Sequence, residues 1–161
     1  MASLGIMDGD RVGVERVINS PADQIFALLA DAGKHPKFDG SGSVNHTTAE
    51  SVPLSKGSVF SMRMRGRRET LYLPYTISNK VIEFDQNRLI AWQTSTLGGL
   101  VGGRIWRYVL TQTTPDTTLV REEWDISQDR QKPLLRLGGM PDQAERGMAA
   151  TLDRIAHVLG G

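Results

Sequence analysis

The chain has 161 residues and a formal net charge of +1, with 39% hydrophobic and 23% charged residues. That length predicts a single domain over residues 1–161 with a sizeable core, and the small net charge supplies no bulk field for nucleic acid or a membrane. There is no cysteine, which excludes disulfides, thiolate catalysis and cysteine-ligated metal and suits a reducing cytoplasm. The opening MASLGIMDGD lacks the basic and apolar regions of a signal peptide. No apolar run approaches the ~20 residues of a membrane span, so a cytoplasmic location is expected.

In chain order, Asp10–Ile18 alternates Val12, Val14 and Val17 with charged residues and predicts a first strand. NSPADQIFALLADA follows. Asn19 or Ser20 is placed to cap, Pro21 suits a first helical turn, and Ile25, Phe26, Leu28 and Leu29 form an apolar stripe. A short helix ending near Gly33 is expected. HPKFDGSGSV is a turn-rich loop, Val44–Ser51 predicts a weak second strand, and Pro53–Lys56 a turn. In the third strand, Gly57–Gly66, Phe60, Met62 and Met64 share one face and Val59, Ser61, Arg63 and Arg65 the other. Leu71–Asp85 (broken near Pro74), Leu89–Ser95, Arg104–Gln112 and Thr118–Ser127 bring the expected strands to about seven, joined by QNR, the loop TLGGLVGG and TPDT.

The end of the chain changes period. Ala144, Met148, Leu152, Ile155 and Leu159 recur at helical spacing, with Pro141 opening the segment and Gly160 closing it. Such a helix is roughly 27 Å long. Consecutive strands with short turns predict an antiparallel sheet, and its apolar face needs a cover. The last helix is the only long one available, so the sheet is expected to curl around it.

This order resembles the START-like (SRPBCC) helix-grip superfamily, in its bacterial polyketide cyclase/dehydratase-like branch. The resemblance runs over nearly the whole chain, through INSPADQIFALLAD, HPKFDGSGSV, IEFDQNRLIAW and WRYVLTQTTPDTTLVREEWD. Phe38 departs from it mildly, since many relatives carry Trp there. The resemblance implies an α+β fold in which a curved antiparallel sheet of about seven strands wraps a long C-terminal helix, with a short helix after the first strand. It also implies a deep cavity between sheet and helix. The small helix residues Ala144, Ala149 and Ala156 agree with that, because small side chains leave space unfilled.

TLVREEWDIS, Thr118–Ser127, places two adjacent carboxylates in the middle of a strand. Alternation puts Glu122 with Val120, Trp124 and Ile126, and Glu123 with Leu119, Arg121 and Asp125. Glu122 therefore points inward and Glu123 outward, where replacement of Glu123 is expected to be nearly neutral. Trp106, Tyr108 and Leu110 share a face of one neighbouring strand, and Ile90 and Trp92 a face of another. Mostly apolar walls with few polar groups are what small-molecule sites look like. A carboxylate there has its pKa raised by desolvation and can serve as a general acid or base. The alternative is a structural ion pair with Arg104.

Other groups are less specific. His35 and Asp39 are either a proton-shuttling pair or parts of a turn. The basic run MRMRGRR, Met62–Arg68, is a solvated face or an anion or nucleic-acid binder, and it lacks interleaved aromatics. GGLVGGR lacks the Lys-Ser/Thr of a phosphate loop. His35, His46 and His157 have no ligand spacing, so no metal and no cofactor is expected. Pro133–Met140 carries Leu134, Leu135, Leu137 and Met140 and reads equally as a lid, as packing or as a homodimer contact.

The favoured reading is a binder of a small hydrophobic molecule, aromatic or polyketide- or lipid-like, with Phe38, Phe60, Met62, Trp92, Trp106, Tyr108, Glu122, Trp124, Met148 and Leu152 lining the site. The first alternative is a cyclase/dehydratase-type enzyme in which Glu122 or Tyr108 moves a proton. The second is an interaction module with a packed interior. Neither nucleic acid nor a membrane span is expected.

Overall fold

The computed structural model describes residues 4–39, 51–64, 73, 75–136 and 139–160; for 4–8 and 136 it describes the backbone alone. The strands are β1 (Leu4–Asp8), β2 (Arg11–Ile18), β3 (Val59–Met64), β4 (Tyr75–Asp85), β5 (Leu89–Thr96), β6 (Val101–Thr114) and β7 (Thr117–Asp125). The helices are α1 (Ala22–Leu29), α2 (Lys132–Arg136) and α3 (Met140–Val158). Six of the strands, β2 to β7, form an open antiparallel sheet in the order β2-β7-β6-β5-β4-β3. The short β1 pairs with β2 and extends that edge. It was not among the expected strands, since LGIMD is short and scarcely alternates. The expected strand Val44–Ser51 lies, apart from Ser51, outside the described residues, and Ser51 is not in a strand.

The inner face of the sheet follows the alternation. Val12, Val14 and Ile18 of β2 are buried, whereas Val17 is on the outer face and 37% exposed. The inward position between Val14 and Ile18 is held by Arg16, which ion-pairs Asp153 of α3. Register shifts between Val81 and Glu83, Gln93 and Ser95, and Gln112 and Thr114 interrupt the ladders; such bulges bend a strand and increase its twist.

Helix α3 packs on β2 and β7 with Met148, Thr151, Leu152, Ile155 and Ala156 buried. Pro141 stands in its first turn, where a missing N–H costs nothing. Helix α1 ends at Leu29, earlier than expected. The reason is Asp31, whose extended backbone turns the chain away. Its carboxylate accepts from Gly33 N–H (3.0 Å), Val52 N–H (2.7 Å) and Ser51 Oγ (2.7 Å). Burial works to raise its pKa, but these bonds and Lys34 hold it below the usual range. The next residues, Ala32–Lys37, form a 3-10 helix rather than a loop.

The β5–β6 connection depends on glycine. Gly103 has φ +112°, and a Cβ there would lie 2.4 Å from the Gln128 carbonyl oxygen. Gly103→Ala is expected to cost at least about 2 kcal/mol, from strain and overlap together. Gly57, at φ +88° with open space around it, is the control; Gly57→Ala costs about 1 kcal/mol from strain alone. Thermal melts of the two variants check the difference.

Candidate functional site

The register sets two rows of side chains across the inner face. One row runs Ile90, Tyr108, Glu122, Val14, and the next runs Val81, Trp92, Trp106, Trp124, Val12. Glu122 is thus fixed between a phenol and a valine, beside the tryptophan row. It points inward, as alternation requires, and is 3% exposed. Phe38, Phe60, Met62, Trp92, Tyr108, Trp124, Met148 and Leu152 are all buried in the same cluster, and Trp106 packs against it half-buried.

Arg104 does not answer Glu122. It pairs instead with Asp129 at 3.3 Å. Glu122 Oε1 accepts a hydrogen bond from the Tyr108 hydroxyl at 2.7 Å, and Oε2 has no hydrogen-bond partner among the described residues. Burial pushes the Glu122 carboxyl up to about 8; the Tyr108 bond opposes this and the negative charge of Asp39 adds to it. Tyr108 is raised well above its usual value by burial and by the carboxylate beside it. Near neutral pH, Glu122 is therefore largely an uncharged acid with an unengaged oxygen.

His35 opens the turn in which the Asp39 N–H donates to its carbonyl, but its side chain is buried, not at the surface. It is 2% exposed and stacks on Trp92, with ring centroids 4.9 Å apart and planes 24° from parallel. Phe38 and Phe60 meet it at 5.3 and 5.4 Å. Its Nε2–H donates to the Leu29 carbonyl at 2.9 Å, which leaves Nδ1 as an acceptor with no hydrogen-bond partner among the described residues. Burial lowers its pKa to about 4, so the ring is neutral.

A further polar pair was missed by the sequence reading. Thr94 donates to Asn79 Oδ1 at 2.6 Å, both are buried, and Asn79 Nδ2 has no hydrogen-bond partner among the described residues. Their parity with Val81 and Trp92 was the available signal.

On the inner face, Phe60 and Tyr108 lie 5.7 and 5.6 Å from Trp92. Ala156 is buried, and Ala144 and Ala149 pack on the same core. Two clefts, of about 340 and 420 Å³, lie on the opposite, outer face of the sheet and are bordered by Ser78, Ser95 and Gly99.

The outer face also corrects the expectation for Glu123. It faces outward but is only 8% exposed, covered by Arg121 at 3.3 Å and Arg107 at 3.7 Å. Of the basic run, Arg63 is exposed and Arg65, Arg67 and Arg68 lie outside the described residues. In the Pro133–Met140 segment, Leu135 is buried in the core, Leu134 is 68% exposed, and Leu137 is outside the described residues. Among the described residues, no group of three or more acidic or His side chains is placed to hold a metal, and no helix is long and apolar enough to cross a membrane.

A family model described as polyketide cyclase / dehydrase and lipid transport matches residues 10–160. Rv0088, an uncharacterized protein of Mycobacterium tuberculosis (strain ATCC 25618 / H37Rv), is 30% identical over 127 residues, covering 78% of this chain and 52% of that protein. The chain thus spans about half the length of the curated relatives it matches. Among solved structures, Ms6760 from Mycobacterium smegmatis superposes with a TM-score of 0.66 at 13% identity, over 99% of this chain and 97% of that one. DynU16, a protein of the dynemicin biosynthetic locus, gives 0.63 at 20% identity, over 95% of this chain and 48% of that one. Identities this low speak to fold alone. With the family match running through both the sheet and α3, the chain belongs to the polyketide cyclase/dehydrase and lipid transport family.

Proposed function

We propose that the protein binds a small hydrophobic molecule, aromatic or polyketide- or lipid-like, against the inner face of the sheet, with its polar group at Glu122, Tyr108 and His35. The observation that carries this reading is the set of buried polar atoms without hydrogen-bond partners among the described residues. Glu122 Oε2, His35 Nδ1 and Asn79 Nδ2 all lie within the aromatic core. Each such atom costs about 1–3 kcal/mol, and a core kept only for packing has no reason to retain three. A ligand with a carbonyl or hydroxyl group would satisfy them as the rings part to admit it.

The family's printed description includes both cyclases and lipid transport. A cyclase/dehydratase-type reaction on the same face is the second reading. It is favoured by one observation: an acid held protonated, Glu122, and an imidazole held neutral, His35, border the same rings. Environments that push two titratable groups apart are how acid and base roles are divided.

Native mass spectrometry of freshly purified protein is the direct test, with a co-purifying small molecule expected. Titration with an amphiphilic aromatic probe should change tryptophan fluorescence saturably, because Trp92 and Trp124 are buried in the cluster and Trp106 packs on it. A strictly linear response, together with no co-purifying mass, would leave the packed interaction module as the better reading.

A further inference from the structure

The exposed apolar side chains are not scattered. Among the described residues eight large hydrophobic side chains are exposed, and five of them, Leu73, Tyr75, Leu97, Leu100 and Leu134, gather at one end of the sheet. The register and bonds place them there. Tyr75 opens β4 opposite Met64, and Thr96 Oγ1 donates to the Thr76 carbonyl at 3.0 Å. Leu97–Gly99 forms a short 3-10 turn that leads into β6. Gln131, just before α2, ties that turn down by donating to the Leu100 carbonyl at 3.2 Å and accepting from Gly102 N–H at 2.8 Å. Leu134 lies on α2, one turn beyond Gln131.

Leu97, Leu100 and Leu134 are 70%, 69% and 68% exposed. Leu97 also has φ +51°, a left-handed backbone that Gly or Asn adopts at lower cost. The chain therefore accepts strain to present a leucine to solvent, an outlier of the kind found at functional positions. Two cations stand at the same end, Arg63 near the end of β3 and Arg130 before α2; both are exposed and neither has a carboxylate partner among the described residues.

From this arrangement we propose that this end of the molecule docks on the surface of an anionic lipid bilayer, with Leu97, Leu100 and Leu134 entering the headgroup boundary and Arg63 and Arg130 meeting lipid phosphates. Leucines projecting singly from a turn and a short helix suit a fluid surface that needs no matching pocket, whereas a second copy of the chain would need a complementary face. Apolar insertion combined with basic contacts is the two-part attachment that reversible peripheral binding requires. The attraction is local, so the small net charge of the whole chain does not oppose it. Docking of this end does not depend on what the interior binds.

The test is co-sedimentation of the whole chain with vesicles of phosphatidylcholine alone and of phosphatidylcholine mixed with phosphatidylglycerol. Binding to the mixed vesicles is expected, weaker on phosphatidylcholine alone and reduced by salt. The variant Leu97→Asn/Leu100→Ser/Leu134→Gln, whose new residues suit the local backbone, should keep the wild-type melting temperature. It should lose binding by about tenfold or more per leucine removed. Val17→Thr, at a side chain 37% exposed on β2 near the other end of the sheet, should bind as wild type does. Arg63→Gln/Arg130→Gln should abolish the preference for anionic vesicles. Wild-type protein that stays in solution with both vesicle types overturns the proposal, and so does a triple-leucine variant that binds like wild type. A concentration-dependent dimer that the triple variant dissolves, seen without vesicle binding, would assign this end to self-association instead.

Discussion

Glu122→Gln is expected to raise the melting temperature in alkaline solution and to leave it nearly unchanged in mild acid. The carboxyl has an ordinary value of 4.5 and is pushed to about 8 in the folded chain, first by burial. Between these values the folded protein holds a proton that the unfolded chain has released. Stability therefore falls as pH rises through this window and levels off above it. At roughly 1.4 kcal/mol per pKa unit, the loss above the window is about 3–5 kcal/mol. Gln copies the shape of the protonated carboxyl, retains an acceptor for the Tyr108 hydroxyl, and carries no charge at any pH. Its advantage should appear near about pH 9 as roughly 2–4 °C per kcal/mol, and fade near about pH 5. Thermal melts across that range decide the matter. A destabilised variant at alkaline pH would mean that a cation answers Glu122, contrary to the Tyr108-only contact described above.

How much of this was legible in the sequence depends on whether the information was local. Parity alone placed Glu122 inward, because side-chain direction in a strand has a fixed period of two. Helical spacing placed Met148, Leu152 and Ile155 on the buried face of α3, and all three are there. Several of the failures needed a contact between segments far apart in the chain. Arg104 shares parity with Trp106, but only the fold shows that Asp129 lies closer to it than Glu122 does. The turn reading of HPKFDG was chemically reasonable, yet Asp31 redirects the chain through Val52 and Ser51, some twenty residues away, and the 3-10 helix that follows carries His35 onto Trp92. Val17 was read as inward by its side chain's apolarity, whereas the period assigns that face to Arg16 and its Asp153 partner. The cavity was expected from the family resemblance, with the small helix residues as support, and the sequence held no measure of how Trp92, Phe60 and His35 would pack together on the inner face.

Arg107→Leu should destabilise the protein by about 2–4 kcal/mol at neutral pH, more than any single exposed ion pair is worth. Arg107 lies on the outer face, yet its side chain is only 13% exposed. Its Nε and the neighbouring terminal nitrogen donate to Glu83 Oε1 at 2.8 and 2.6 Å, and its remaining nitrogen lies 3.7 Å from Glu123 and 3.6 Å from Asp125. Burial works against the charged guanidinium, but these three carboxylates raise its pKa on balance. Leucine would fill part of the volume and leave the carboxylates with less compensation. Glu123 would retain Arg121, and Asp125 would retain Arg11. Glu83, a third exposed, would turn to water, which holds the loss toward the lower part of the usual range for a broken buried pair. The pH dependence separates charge from packing. Burial works to raise the Asp125 pKa, but bonds from Ser127 and the charges of Arg11 and Arg107 hold it below its ordinary 3.8. Its stabilising contribution is present above that value and is lost as pH falls through the folded one. Removing Arg107 shrinks the depression, so the gap between wild type and variant should narrow in acid. A Glu83→Gln change made in the Arg107→Leu background should cost much less than the same change in wild type, since its partner is already gone. Equal costs in the two backgrounds, with a gap that ignores pH, would show that Arg107 acts through the packing of its stem and not through its charge.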